Sequence, residues 1–226
     1  SAQWRETFKD IVTDLGKAKA TSNQVRALVS KMYNDAIEAG LVKDNPVSKV
    51  KPFEIRRGRI KLIKDHFWHD LADLVAYLAA ARDEEPGYFV YKMIECNTGL
   101  RRSQIVPIKW KDLDGRNRVI RIERSYMASN DSIRDGSKGF AAGEEYIPGV
   151  NDALWKVLQW WKARTPYAGD DDYICAQTKN EDSLGKHFYS WHLKKAHERV
   201  IKRAGLKRIK PHGIRHTYAT HYLESG

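Results

Sequence analysis

Two short stretches of the sequence carry side chains whose types and spacing suit chemistry at a phosphate. In TGLRRSQIVPIKWKDLD, Arg101 and Arg102 follow a Thr-Gly turn at the start of an apolar segment. In PHGIRHTYATHYLESG, His212 and Arg215 are three residues apart at a predicted helix start, so both project from one face. A helix start with basic side chains on one face is well suited to an anion.

Two arginines and a histidine can act together on one phosphate. If Arg101 and Arg215 converge on one phosphate, they can hold its non-bridging oxygens and stabilise the charge of a five-coordinate phosphorane. Arginine suits this better than lysine because its planar fork binds two oxygens at once. The imidazole of His212 can move protons near neutral pH. Spacing alone leaves open whether the two arginines meet.

The charge distribution predicts a polyanionic partner. The chain carries a formal net charge of +11 and has a pI near 9.5. Residues 186–215 contain ten Lys or Arg against Glu198 alone, and residues 49–64 contain seven against Glu54 alone. Clusters of this kind are typical of nucleic-acid binding, although solvated basic faces are the alternative interpretation.

Composition narrows the class of protein. The 226 residues, 42% hydrophobic and 31% charged, can bury a core and suit an ordinary globular protein. No apolar run approaches the roughly 18 residues of a membrane span, and the polar N-terminus does not read as a secretory signal. Cys96 and Cys175 are too few for a disulfide framework and lack metal-ligand spacing. We therefore expect a cytoplasmic protein without membrane contact.

The first 61 residues predict two helices and a linker. The pattern favours a helix over Trp4 to Leu15 and another over Ser22 to Gly40, capped by Ser22 or Asn23. One apolar stripe of the second helix contains Val25, Leu28, Val29, Met32, Ala36 and Ile37. Residues 44–61, with two prolines and a basic run, indicate an inter-domain linker.

The remainder predicts a mainly α fold with one small antiparallel β-sheet. Strand candidates are residues 118–124, which alternate, and residues 144–149, with a loop-rich insert between them. Helices are predicted from residue 65 or 66 to 81 and over 88–96, 151–163 and 187–204, and a last one starts near His212.

The two stretches also resemble motifs of a known protein family. TGLRRSQIVPIKWKDLD resembles the first arginine box of tyrosine recombinases, the phage integrase family, and HGIRHTYATHYLESG resembles their second box. The helix and linker before them resemble the end of the family's core-binding domain. The resemblance implies three segments: part of a helical, SAM-like core-binding domain over 1–48, a basic linker over 49–61 and a catalytic domain over 62–226.

The resemblance also implies a reaction and its residues. In this family a tyrosine attacks the scissile phosphate of double-stranded DNA and forms a 3′-phosphotyrosine, without metal or other cofactor. By position, Arg101 and Arg215 would be the phosphate-clamping arginines and His212 the histidine that assists proton transfer. Lys138, in SKGFAAGEEYIPG, would be the lysine that protonates the departing 5′-oxygen. A tetramer on DNA is implied for the full-length protein.

Two positions depart from the family pattern. Three residues after Arg101 the family usually has a carboxylate, whereas this sequence has Gln104, which can hydrogen-bond but supplies no negative charge. The family's nucleophilic tyrosine lies beyond the second box, so we expect no nucleophile within this chain. Tyr218 and Tyr222 lie on the second-box helix itself, where packing explains them.

Other basic and aromatic residues receive less specific interpretations. His216 is expected to make a structural hydrogen bond. His187, His192 and His197 have helical spacing, but we favour a solvated or phosphate-contacting face over a metal site. Trp155, Trp160 and Trp161 are expected to pack. Contacts to the DNA backbone are predicted for Arg102, Lys194, Lys195, Lys202, Arg203, Lys207 and Arg208.

Two other functions remain as alternatives. A type IB topoisomerase shares the same set of Arg, Lys, Arg and His, and it would relax supercoiled DNA without sequence preference. A non-catalytic DNA-binding protein descended from a recombinase would act by occupancy alone. The integrase-like spacing of TGLRRSQ and the preceding helix argue against the topoisomerase, whereas the absence of a tyrosine from the native reading frame would favour the non-catalytic protein.

Overall fold

The computed structural model describes residues 2–13, 19–54, 67–136, 147–179 and 181–224. The chain forms two compact units, Ser1–Lys61 and Leu62–Gly226. Each unit has its own group of buried apolar side chains.

In the first unit, helix α1 (Ala2–Thr13) packs against helix α2 (Lys19–Glu38). The predicted cap at Ser22 or Asn23 is wrong, because α2 begins at Lys19 and contains both residues. Ser22 is instead fully buried inside the helix, and its hydroxyl donates a hydrogen bond to the carbonyl of Phe8 at 2.7 Å. Ser22, whose residue type predicts a helix start, thus links the two helices through a hydrogen bond.

The rest of this small core comes from the segment after α2. Val50 is buried with Phe8, and Phe53 packs against them. The side chain of Asn23 holds the Phe53 backbone through two hydrogen bonds, of 2.8 and 2.9 Å. The first residues of the predicted linker therefore belong to this unit, while residues 55–66 lie outside the described ranges.

The second unit is built around one buried helix. The α-helices in its described residues are α3 (Leu71–Ala81), α4 (Pro86–Thr98), α5 (Arg102–Ile105), α6 (Asp152–Lys162), α7 (Ser190–Ala204) and α8 (Pro211–Glu224). Helix α4 packs against α3, α5, α6 and α8, and α3 also packs against α7. Side-chain caps fix two starts: Asp70 accepts from the Ala72 N–H at 2.8 Å, and Asn151 accepts from the Leu154 N–H at 2.9 Å.

Two antiparallel ribbons are present where the sequence predicts one sheet, and Gly149 of the second predicted strand forms an antiparallel bridge with Val119. Strand β1 (Leu113–Asp114) pairs with β2 (Val119–Ile120), and β3 (Arg124–Met127) pairs with β4 (Ser132–Asp135). The predicted strand over 118–124 divides between the two ribbons: Val119 and Ile120 form β2, and Arg124 begins β3. The insert predicted as a loop contains the β3–β4 hairpin, whose polar sequence hides its pairing.

The tryptophans of α6 divide between core and surface. Trp161 is buried and donates its indole N–H to the carbonyl of Ile174 at 2.7 Å, and Trp155 packs against the core. Trp160 is 40% exposed, and its ring stacks at the surface, 6.1 Å from that of Trp161. Cys96 and Cys175 are buried free thiols. Within the described ranges, none of the helices combines the length and apolar character that a bilayer crossing needs.

Candidate active site

The Thr-Gly turn joins the two sequence stretches. Gly99 ends α4 with a backbone φ of 61°, in the left-handed region that favours glycine. A Cβ atom at Gly99 would lie 2.3 Å from the ring of Tyr218 on α8, so any side chain there would collide. The turn therefore needs glycine both for its conformation and for its contact with α8. Tyr218 packs here, as its position on α8 predicts.

Arg215 contacts the same turn. Its guanidinium Nη1 donates a hydrogen bond to the carbonyl of Gly99, two residues before Arg101. Arg215, in the second stretch, thus contacts the backbone that leads to Arg101, in the first stretch. The two stretches are far apart in the sequence, since 113 positions separate Gly99 from His212. The fold thus places Arg215 against the turn that leads into Arg101.

A cleft of about 330 Å³ contains side chains from both stretches. Arg101 and Arg102 enter it from the start of α5, and His212 enters it from the start of α8. The other lining residues are Glu95, Leu100, Ser103, Tyr126, Lys210 and Pro211. Arg101 and His212 are both exposed to solvent.

The cleft is electrostatically positive. Glu95 is the one acidic residue among the lining residues, and its carboxylate lies 2.7 Å from the ammonium of Lys92 in a pair that is almost completely buried. The Lys92 ammonium also lies 5.0 Å from the centre of the Tyr91 ring and 5.5 Å from that of Tyr88. Because Lys92 balances Glu95, the positive charges of the lining remain uncompensated.

The pKa of His212 is lowered from its usual value, first by partial burial of the ring and then by nearby positive charge. The charges that act on it are those of His216, Arg215 and Arg101, so both arginines lower the pKa of this one ring. The rings of His212 and His216 meet edge to face at 4.8 Å. A neutral imidazole at neutral pH is able to accept a proton.

Gln104 supports the first arginine through the backbone. Its side chain is buried, and its Oε1 accepts a hydrogen bond from the Arg101 N–H at 2.9 Å. The amide therefore satisfies the free N–H at the start of α5, as a carboxylate would at the same place. It adds no negative charge beside Arg101, in line with the predicted departure from the family pattern.

Arg102 belongs to a second, structural set of contacts. Its Nη1 donates to the Ser190 hydroxyl at 2.7 Å, at the start of α7. The Ser190 N–H donates to the hydroxyl of Tyr126 at 3.2 Å, and that hydroxyl donates to Asp131. Burial and Asp131 raise the pKa of Tyr126 to about 12, so it remains a neutral phenol. No sequence signal marks Tyr126 as a lining residue, because it lies in the insert predicted as a loop.

Some predicted site residues cannot be placed in this geometry. Lys138 lies in residues 137–146, outside the described ranges, and its role stays a prediction. The side chain of Tyr222 is likewise not described.

The predicted DNA contacts on and after α7 are all exposed. Lys194 and Arg208 line a second cleft of about 560 Å³, which shares Lys210 and Pro211 with the first. Arg203 is held within the protein, since its guanidinium lies 3.0 Å from the Glu84 carboxylate. The exposed set is Lys194, Lys195, Lys202, Arg203, Lys207 and Arg208.

The three histidines of residues 187–197 do not share one solvated face, so this prediction is wrong. His197 is buried, with 1% of its surface exposed. His187 is packed among aromatic rings, 5.3 Å from Tyr126 and 5.5 Å from Tyr173. In the described part of the chain, no three metal-ligating side chains come together as a group that could hold a metal ion.

The cleft is lined by four basic side chains, those of Arg101, Arg102, Lys210 and His212, and its one acid is already paired, so it has the properties of an anion site. A comparison of the sequence with known families agrees with an anion site for DNA. Residues 70–226 match the phage integrase family, and the chain belongs to that family. The tyrosine recombinase XerC-like protein of Caldanaerobacter subterraneus is 23% identical over 93% of this chain. This chain spans 57% of that relative's length. The resemblance of the two arginine boxes is thereby confirmed.

Solved structures confirm the fold. The Tn1549 transposon integrase in complex with a circular intermediate DNA aligns with a TM-score of 0.71 and 16% identity, over 100% of this chain and 73% of the other. A lambda integrase tetramer bound to a Holliday junction aligns with a TM-score of 0.58 and 18% identity, over 99% of this chain and 59% of the other. The mainly α fold with small antiparallel sheets is that of tyrosine recombinases.

Proposed function

We propose that this chain is part of a site-specific tyrosine recombinase that breaks and rejoins double-stranded DNA. The observation that carries the proposal is the meeting of the two arginine boxes at Gly99: Arg215 donates to its carbonyl, and Arg101 and His212 share the adjacent cleft. Membership of the phage integrase family supports the same reaction, and so does the polyanion partner that the basic clusters predict.

In the proposed reaction the cleft binds the scissile phosphate. Arg101 and Arg215 hold its non-bridging oxygens and stabilise the charge that develops in the phosphorane. His212, neutral before the reaction, takes up or relays a proton. Lys138 protonates the departing 5′-oxygen. The attacking tyrosine is not assigned to a residue of this chain, since the Tyr126 hydroxyl is engaged by Asp131 and Ser190 and Tyr218 packs against Gly99.

The partners follow from the same proposal. Residues 1–48, together with the first residues of the basic segment over 49–61, would be part of a core-binding domain, and the rest of that segment would lead into the catalytic domain over 62–226. The lambda integrase structure that aligns with this chain is a tetramer on a Holliday junction. We infer the same assembly for the native full-length protein, since recombination brings two duplexes together. A cytoplasmic location follows if its DNA is in the cell.

The test is the rate of covalent adduct formation between the native full-length protein and a nicked duplex that carries its target site. Arg101→Lys and Arg215→Lys should each lower this rate by roughly 10²–10³-fold, because each removes a bidentate contact to transition-state charge. DNA affinity should change by less than about threefold, since most phosphate contacts remain. Arg116→Lys, in the exposed turn after β1, is the matched control.

Each alternative function has its own outcome in this experiment. Relaxation of supercoiled plasmid without sequence preference would identify a type IB topoisomerase. Tight binding without any adduct, in a full-length protein of native sequence, would identify a non-catalytic DNA-binding protein. Adduct formation that is unchanged in either arginine variant would remove Arg101 and Arg215 from the site.

A further inference from the structure

The position of His212 depends on a segment without regular structure. Helix α7 ends at Gly205, whose backbone φ is 66°, and residues 206–210 then lead directly into α8. The Gly213 N–H donates to the carbonyl of Lys210 at 2.7 Å and so closes the first turn of α8. The conformation of residues 206–210 therefore determines where His212 lies.

Two side chains from elsewhere in the unit hold this segment by its carbonyls. The indole N–H of Trp68 donates to the carbonyl of Lys207 at 3.0 Å. The Nε2 atom of His197 lies 3.1 Å from the carbonyl of Ile209, whose side chain is also buried. The carbonyls of Lys207 and Ile209 therefore accept hydrogen bonds from side-chain ring N–H groups. In a β-sheet, backbone N–H groups would donate to such carbonyls.

The contacts of His197 determine which of its nitrogens carries the proton. A carbonyl only accepts, so Nε2 is the protonated nitrogen and Nδ1 accepts from the hydroxyl of Tyr77 at 2.7 Å. The Tyr77 oxygen in turn accepts from the hydroxyl of Tyr88 at 2.9 Å, since its own proton is used. A directional chain of hydrogen bonds runs from Tyr88 on α4, through α3 and α7, to the backbone three residues before His212.

Both ring nitrogens of His197 are used although the side chain is buried. Burying a polar group is unfavourable unless its hydrogen bonds are made, and an apolar residue would fill the same space without that requirement. Burial, Lys92 and Arg208 lower the pKa of His197 to about 3, so the ring stays neutral and keeps one tautomer at neutral pH. A packing role alone does not account for these contacts.

We propose that His197 is a positioning residue: through its hydrogen bond to the Ile209 carbonyl it fixes the start of α8 and thereby the place of His212. Its effect on the start of α8 is independent of the chemistry. Its effect on phosphate binding rests on the proposed function of the cleft.

Hydrogen exchange of the Gly213 amide tests the positioning directly in this chain. His197→Leu removes the donor and should speed this exchange roughly tenfold relative to amides in the middle of α4. His197→Gln should restore the slow exchange, because its Nε2 lies as many bonds from the backbone as that of histidine and still donates. His192→Leu, the same substitution on the same helix, should leave the Gly213 amide unchanged.

Two kinds of result would contradict the proposal. Unchanged Gly213 exchange in His197→Leu, or no restoration in His197→Gln, would show that the hydrogen bond to Ile209 does not set the start of α8. Equal acceleration in His192→Leu, or at all amides of α4, would show a general loss of stability instead.

A second measurement separates this proposal from the proposed function. Inorganic phosphate is titrated while the ring signals of His212 are followed by NMR. We expect His197→Leu to weaken phosphate binding roughly tenfold and His197→Gln to restore it. Faster Gly213 exchange with unchanged phosphate affinity would leave the positioning intact and contradict the cleft as the phosphate site.

Discussion

At the scale of single residues, Gly99 carries the strictest requirement. An alanine there would need the left-handed conformation and would place its Cβ 2.3 Å from the ring of Tyr218. We expect Gly99→Ala to lower the free energy of unfolding by about 2–4 kcal/mol, the sum of backbone strain and overpacking. Chemical denaturation measures this value.

Gly205 provides the matched control for that prediction. It has nearly the same φ, 66°, and a Cβ there would meet nothing within 4 Å. Gly205→Ala should therefore cost only about 1 kcal/mol, the strain alone. Equal losses in the two variants would show that the contact between Tyr218 and the Thr-Gly turn contributes nothing to stability.

Gln104 controls the charge beside Arg101. Gln104→Glu keeps an oxygen that can accept from the Arg101 N–H and adds a negative charge next to that arginine. Because positive charge from Arg101 helps to lower the pKa of His212, the added carboxylate should raise that pKa toward its usual value. An NMR titration of the His212 ring measures it, and a pKa that is unchanged or lower would contradict the coupling. Gln104→Met, which is of similar length but has neither the charge nor the accepting oxygen, should not raise that pKa.

At the scale of elements, the sequence predicts helices better than strands, for a physical reason. The start of α6 follows Asn151 and the end of α4 precedes Gly99, because caps and glycine stops are local signals. The β3–β4 hairpin has no such signal: its buried Tyr126 stands among polar residues, and its pairing depends on distant contacts. The two arginine boxes are readable for the same reason as the caps, since each is local, whereas the contact of Arg215 with Gly99 depends on the packing of α4 against α8.

Asn151 connects two elements near the site. Its Oδ1 caps α6, and its Nδ2 donates to the Oδ1 of Asn97 on α4 at 2.8 Å. We expect Asn151→Ala to lower the free energy of unfolding by about 1–2 kcal/mol, mostly through the lost cap. Asn151→Asp should recover most of this loss because it still caps. If Asn151→Asp is as unstable as Asn151→Ala, the contact to Asn97 is the larger contribution; denaturant midpoints decide between the two.

At the scale of the whole molecule, buried His197 predicts acid sensitivity. Its pKa is lowered to about 3 in the folded state, against about 6.5 in an unfolded chain. Below pH 6.5 the unfolded state binds a proton that the folded state does not, so stability is complete above pH 6.5 and falls as the pH drops toward 3. The expected slope from this residue is about 1.4 kcal/mol per pH unit. His197→Gln should flatten the profile of unfolding free energy between pH 6 and pH 4; an unaltered slope would contradict burial of the neutral ring.

The net charge of +11 predicts salt-dependent binding to DNA, and the structure divides the predicted phosphate contacts into two kinds. Lys194 is exposed and lines the cleft next to Lys210, so its ammonium is placed to meet a phosphate. Arg203 is already paired with Glu84 and donates to the carbonyl of Ala80 at 2.8 Å, which uses its guanidinium inside the protein.

Lys194→Ala should therefore reduce the slope of log affinity against log salt by about 0.9, the value for one lost phosphate contact on duplex DNA. Arg203→Ala should leave that slope unchanged and lower the free energy of unfolding instead, because it leaves Glu84 with one partner fewer. Fluorescence anisotropy with a short duplex at several salt concentrations measures both slopes. An equal reduction in the two variants would mean that Arg203 leaves Glu84 when DNA binds, and that charge alone determines which side chains contact the backbone.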